Sequence, residues 1–205
     1  MSDSPLWRPG RIGPMELKNR VIRSATNEHL SQPDGQLTTA WMDTLVELAE
    51  NEVGLVITGH MSVDRQQRSD QGQTVLDEQT DLGLLYETAR RVHQAGGRIV
   101  AQLNHGGKKA PENVNGHPPK LPADFSLEEL DQIVGKYRYA AMLCRRNRIF
   151  CAVTAYNAAV SQVLYENQQK RGKALTGNSD KRHQCCWQCG QAQSDDTGSQ
   201  AKREQ

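Results

Sequence analysis

The run Gln102-Leu103-Asn104-His105-Gly106-Gly107 follows directly on the apolar stretch Arg98-Ile99-Val100-Ala101. A buried strand that ends in an amide, a histidine and paired glycines sets polar groups where the strand opens into a loop. In a parallel α/β barrel, that end of a strand is the face where ligands bind. The Gln102 side chain carries one acceptor and two N–H donors, which suits the mixed donor/acceptor edge of a planar ring. Taken singly, the same residues read as a solvated strand end and a glycine turn.

The elements that position this segment are legible on both sides of it. Val21-Ile22-Arg23-Ser24-Ala25-Thr26 reads as a first strand, β-branched at its start and small and polar at its end. Ser31-Gln32-Pro33-Asp34-Gly35 is turn chemistry. From Thr38 to Glu52 the spacing of Trp41, Leu45, Leu48 and Ala49 predicts an amphipathic helix. Gly54-Leu55-Val56-Ile57-Thr58 has the continuous apolar character of a strand covered on both faces, with a bend at Thr58-Gly59 and Gly59-His60 following the strand. After a polar loop, Asp81 to Gln94 reads as a second helix with Leu84, Leu85, Ala89 and Val92 inward, closed by Gly96-Gly97. Arg98 to Leu103 is the third strand. Ser126 and Glu129 form a capping box for a third helix, whose apolar side is Leu127, Leu130, Ile133, Val134 and Tyr137. Ile149-Phe150-Cys151-Ala152-Val153 is the candidate fourth strand. Strands alternating with helices at this spacing predict a parallel sheet with right-handed crossovers.

Composition narrows the function. A net charge of +1, from 25 basic and 24 acidic residues, argues against nucleic acid or a membrane surface as partner. No apolar run approaches the ~18 residues of a membrane span, and the N-terminal residues lack a basic-then-apolar signal, so the expected location is cytoplasmic. All five cysteines fall after residue 143, and residues 165–205 hold one aliphatic side chain larger than Ala, Leu175. Such a tail cannot offset the entropy of ordering and is expected to be disordered. His183, Cys185, Cys186 and Cys189 approach zinc-ligand spacing. A lone Cys-x-x-Cys with no core to fix its geometry reads as an accidental cluster, and no metal site is expected.

With the elements placed, three segments in order resemble the N-terminal half of the Old Yellow Enzyme family of FMN-dependent NAD(P)H:flavin oxidoreductases. They are Leu17-Lys18-Asn19-Arg20-Val21-Ile22-Arg23-Ser24-Ala25-Thr26, Gly54-Leu55-Val56-Ile57-Thr58-Gly59, and Gln102-Leu103-x-His105-x-Gly107 with Lys108 where Arg is usual. The resemblance implies an incomplete (β/α)8 TIM barrel made of its first three to four βα units. It implies FMN across the C-terminal strand ends, NADH or NADPH as reductant, and a small-molecule electron acceptor. Carried over by position, Ser24, Ala25 and Thr26 support one edge and face of the flavin. Asn27 stands where the family varies the group that tunes it. Gly59 and His60 bring backbone close to the ring, and Gln102 bonds its pyrimidine edge. His105 and Lys108 have either a structural or a ligand-contacting part.

The pattern breaks in the fourth strand. The family's His-x-x-His or His-x-x-Asn pair, which holds the substrate carbonyl, is replaced by Phe150-Cys151-Ala152-Val153-Thr154-Ala155-Tyr156-Asn157-Ala158-Ala159. The sequence after Leu143 suggests a reading-frame change near that residue. The expected organisation is therefore a barrel half over 1–143, a degenerate continuation over 144–164 holding the fourth strand, and a disordered tail over 165–205. The catalytic residues are not identified by the sequence. The alternative to an oxidoreductase is a catalytically inactive barrel fragment, or a binding subunit with a second chain completing the barrel.

Overall fold

The computed structural model describes residues 4–153. The expected tail, the His183–Cys189 cluster and the greater part of the 144–164 continuation lie outside the described residues.

An antiparallel hairpin opens the fold: β1 (Gly10–Ile12) pairs with β2 (Met15–Leu17). The sequence pattern gave no warning of it, because three-residue strands are too short to show alternation. β3 (Ile22–Arg23) follows, then α1 (Thr39–Glu50), β4 (Leu55–Ser62), α2 (Leu82–Gln94) and β5 (Arg98–Asn104). A one-turn helix α3 (Glu112–Asn115) precedes α4 (Leu127–Arg146) and β6 (Phe150–Val153). The sheet order is β3-β4-β5-β6 and every pairing in it is parallel. Strand order that follows chain order without reversal is a singly wound sheet, in which all crossover helices lie on one face.

The helices start where their caps dictate. Thr38 accepts from the Trp41 amide, Asp81 accepts from the Leu84 amide, and Ser126 and Glu129 form the reciprocal capping box. α2 ends before Gly96, whose φ of 76° lies in the left-handed region that glycine adopts without strain.

The two faces of the sheet are packed differently. On the helix side, Trp41, Leu45, Leu85, Val92 and Leu143 pack against Val56, Met61, Ile99, Ala101 and Leu103 in the main core. On the opposite face a small cluster of Met15, Leu17, Leu55 and Val100 is joined by Ile12, Ile57 and Ala152. The hairpin therefore lies against the side of the sheet that is turned away from the helices.

Three expectations are corrected. The first strand is shorter than expected, because the chain leaves the sheet after Arg23 and residues 24–30 run as loop. Gly59-His60 is not a bend after β4 but part of it, since β4 continues to Ser62. The third expected helix is α4, which runs to Arg146, is capped at Asn147, buries Cys144, and leads through buried Ile149 into β6. Leu127, expected inward, is exposed, while Leu130 and Ile133 carry the helix contact.

Candidate functional site

The C-terminal ends of β3, β4 and β5 form one rim, and residues just beyond β3 are folded onto it. Arg23 ends β3 and holds the following segment by three bonds. It donates to the Ile57 carbonyl at 2.8 Å, to the Thr26 carbonyl at 2.9 Å, and to the Glu28 carboxylate at 2.7 Å. Glu28 turns inward, its side chain only 2% exposed, and accepts the Gly59 N–H at 3.1 and 3.2 Å. A buried carboxylate persists only when paired and hydrogen-bonded, and Glu28 is both.

Gly59 is the contact point. A Cβ there would lie 2.6 Å from Glu28 Oε2, 2.8 Å from Asn27 Cα and 2.9 Å from the Thr26 carbonyl oxygen. The missing side chain therefore admits the chain's own residues 26–28. The Gly59 amide is engaged by Glu28, and its carbonyl accepts from Thr58 Oγ1 at 2.7 Å. Gly59 shapes the rim and has no free N–H to offer.

The same position carries a β-bulge. Ile57 is in register with Val100, but His60 is in register with Gln102, so two residues of β4 stand opposite Ala101. The bulge sets His60 beside Gln102. Thr58 Oγ1 bridges the irregularity by accepting the Gln102 amide at 3.2 Å. His60 lies 3.9 Å from Asp70, which also faces His29 at 3.3 Å and accepts from Asn27 Nδ2 at 2.8 Å. Burial holds the His60 imidazole below its ordinary range. Asp70 opposes that effect, and the neighbouring His29 adds to it. His60 therefore sits on the rim as a neutral ring at pH 7.

Gln102 is half-buried, and its side-chain amide makes no hydrogen bond to another described residue. Ser24 and Thr26 are exposed and Ala25 is half-buried. Residues 24–27, Gly59, His60 and Gln102 thus share one end of three adjacent strands. His105 is not part of that group. It is 1% exposed, 3.9 Å from Asp64, and meets the Phe125 ring edge-on at 6.2 Å. Burial pushes its pKa down to about 4, so it is a neutral packing residue beneath the loop. Lys108 is exposed on the turn after β5.

The sequence reading missed Arg23, Glu28 and Asp70, which hold the rim together. Arg23 could have been noticed as a charge inside an apolar strand. Glu28 and Asp70 sit in loops where acidic residues are ordinary, so no pattern marked them. The polar stretch after β4 is also more structured than its composition suggested. Arg65 pairs with Asp77 at 2.9 Å, buried Arg68 donates to the Pro33 carbonyl at 2.7 Å, and Gln73 Nε2 donates to the His60 carbonyl at 2.9 Å.

A singly wound parallel sheet, helices on one face and a polar rim at the C-terminal strand ends define, among the described residues, the first three βα units and the fourth strand of a (β/α)8 barrel. Comparison with known proteins agrees. The family model described as NADH:flavin oxidoreductase / NADH oxidase matches residues 5–163. The chain belongs to that family.

Among curated relatives, the NADH oxidase of Thermoanaerobacter brockii is 24% identical over 86% of this chain and 30% of its own length. The metal reductase of Desulforamulus reducens is 29% identical over 67% of this chain and 22% of its own. Among solved structures, Old Yellow Enzyme from Pichia sp. superposes with a TM-score of 0.64 at 22% identity, over 75% of this chain and 46% of that one. Morphinone reductase in complex with tetrahydroNAD gives 0.64 at 22% identity, over 76% and 50%. The chain therefore spans less than a third of the two curated relatives and about half of the solved structures. Flavin and nicotinamide chemistry is the family's business. No helix among the described residues is long and apolar enough to cross a membrane.

Proposed function

We propose that this chain carries the flavin-ring seat of an FMN-dependent NAD(P)H oxidoreductase that reduces a small-molecule electron acceptor. The observation that carries the reading is the side-chain amide of Gln102. It is half-buried, has no hydrogen bond to another described residue, and stands beside His60 at the ligand-binding end of a barrel sheet. A polar group left in that state fits a ring edge that both donates and accepts.

The residues present fit the isoalloxazine. Gln102 would hold its pyrimidine edge, and Ser24, Ala25 and Thr26 would line one side with small groups and main chain. His60, kept neutral, would place an imidazole against the same edge without adding a positive charge. Gly59 acts one step removed, by letting residues 26–28 close onto β4. When bound, FMN supplies hydride transfer between the nicotinamide and the acceptor, and the protein supplies position and hydrogen bonds. Phosphate sites in such barrels are built by loops after later strands, so this chain's described residues hold the ring rather than the phosphate.

Flavin fluorescence on titration with the purified chain tests the reading. Saturable quenching is expected, and Gln102→Ala should weaken it about tenfold, the worth of roughly 1.4 kcal/mol from a well-made hydrogen-bonded edge. Absence of saturable quenching, or equal affinity in the variant, would overturn it.

A further inference from the structure

Asp70 is one carboxylate shared by three side chains of the rim. Its Oδ2 accepts from Asn27 Nδ2 at 2.8 Å and lies 3.9 Å from His60 Nε2. Its Oδ1 is buried, accepts no hydrogen bond among the described residues, and stands 3.3 Å from His29 Nδ1. A buried carboxylate oxygen without a donor is a costly arrangement, and a protonated imidazole within reach relieves it. The main chain holds the groups together. His29 takes a left-handed φ of 53°, and a Cβ on Gly72 would lie 2.8 Å from His29 Cα, so the loop after β4 closes directly on this bend. Asn27, expected to tune the ring, is committed to the cluster: its amide donates to Asp70 and its Oδ1 accepts the His29 N–H. The two imidazoles differ in access. The His29 side chain is 64% exposed and meets solvent, whereas that of His60 is 26% exposed. His60 is in register with Gln102, and Gln102 with Ala152, which packs on the hairpin side of the sheet. His60 and Gln102 therefore stand on the same inner face of the rim.

We propose that His60 is the residue that answers the charge of a reduced ring and that Asp70 is its positioning residue, a role that rests on the flavin seat proposed for this rim. A hydride from the nicotinamide carries two electrons and one proton, so the nicotinamide leaves oxidised and the ring is left with one negative charge. The second proton, taken from solvent, is held on the His60 imidazole. Both ring nitrogens then carry hydrogen, and Nε2 is the one that faces Asp70. Without a charged ring, burial and the neighbouring His29 oppose that proton, while Asp70 and Glu28 favour it. Glu28 is already committed to Arg23 at 2.7 Å and to the Gly59 N–H. Asp70 is therefore the facing carboxylate left to balance a charge on His60. A negative ring on the other side adds to its pull and tips His60 to the protonated form. The advantage belongs to the protonated state, so it is present at lower pH and lost as pH rises through the His60 titration of the ring-bound chain.

Binding of lumiflavin, an isoalloxazine without phosphate, to the purified 205-residue chain tests it, with the ring oxidised and after anaerobic reduction by dithionite. His60→Asn should lower the affinity for the reduced ring about tenfold relative to the oxidised one, equal to about 30 mV in a two-electron potential. That His60-dependent advantage should fall away as pH is raised from about 6 to about 8. Asp70→Asn keeps an acceptor for Asn27 and removes the charge, so the fall should move to lower pH by about one pH unit. Asp43→Asn, which removes an exposed carboxylate of α1 paired with Arg91, should leave the profile unchanged. Histidine-ring NMR on the ligand-free chain gives a second reading, in which Asp70→Asn should lower the midpoint of the His60 titration by a similar amount. If neither form of lumiflavin binds, the seat is refuted and the role of His60 with it. If both forms bind and His60→Asn leaves their affinity ratio unchanged, the role of His60 is overturned while the seat stands. A pH profile and a His60 midpoint that both ignore Asp70→Asn overturn the role of Asp70.

Discussion

Gly59→Ala puts one methyl group where the rim is assembled. The added carbon would fall 2.6 Å from Glu28 Oε2, 2.8 Å from Asn27 Cα and 2.9 Å from the Thr26 carbonyl. Two of those atoms are main chain and cannot rotate away, so either the β4 bulge or residues 26–28 must move. Forcing a methyl into a closed contact costs about 1–3 kcal/mol. Displacing Glu28 also weakens the Gly59 N–H bond to a buried carboxylate, a bond worth about 1.5–3 kcal/mol. Partial relaxation brings the expected total to about 3 kcal/mol, or a Tm lowered by roughly 6–12 °C for a domain of this size. Urea unfolding followed by circular dichroism reads the first number, and a thermal melt reads the second. Flavin affinity should fall together with stability, because the displaced segment is the proposed ring support. A variant within about 0.5 kcal/mol of the unmodified chain would refute the reasoning that Gly59 exists to admit residues 26–28.

Three further outcomes follow from the same packing. Gly135 lies exposed within α4 with nothing within 4 Å of an added Cβ, so Gly135→Ala should stabilise the chain by about 0.5–1 kcal/mol in a urea melt. Glu28→Gln breaks the buried pair with Arg23 and should cost about 3 kcal/mol; a neutral result would show that Glu28 does not anchor the rim. His105 is held near pKa 4 by burial against an ordinary value of 6.5, so the unfolded chain takes up its proton more readily. Stability should therefore fall as pH drops from 6.5 toward 4, by about 3 kcal/mol from this residue, and level off below. Unfolding free energies across that range should show the fall, and His105→Gln should flatten it.

Much of the scaffold was legible because its signals are local. The Ser126/Glu129 box, the Gly96-Gly97 close of α2 and the apolar runs of β4 and β5 each mark an element by nearest neighbours alone. What escaped depends on contacts between distant segments. The hairpin of Gly10–Leu17 is defined by its pairing, and the end of β3 at Arg23 is set by bonds to Ile57 and Glu28. The same holds at the site. Gln102 and His60 stood out as polar residues at the ends of apolar strands, whereas Asp70 reaches His60, His29 and Asn27 only through tertiary folding. After Leu143, where the sequence suggested a reading-frame change, Cys144 is buried in the core and Arg145 and Arg146 occupy the last turn of α4. Basic residues there complement the helix dipole.

The proposed function requires a flavin ring to meet the C-terminal rim of β3, β4 and β5. Amide chemical-shift mapping with an isoalloxazine lacking the phosphate group tests that contact directly, since only the ring can bind. Perturbations grouped at Ser24–Asn27, His60 and Gln102, with the Gly10–Leu17 hairpin silent, are the predicted result. Shifts centred on the hairpin, or none at all with the chain folded, would contradict it.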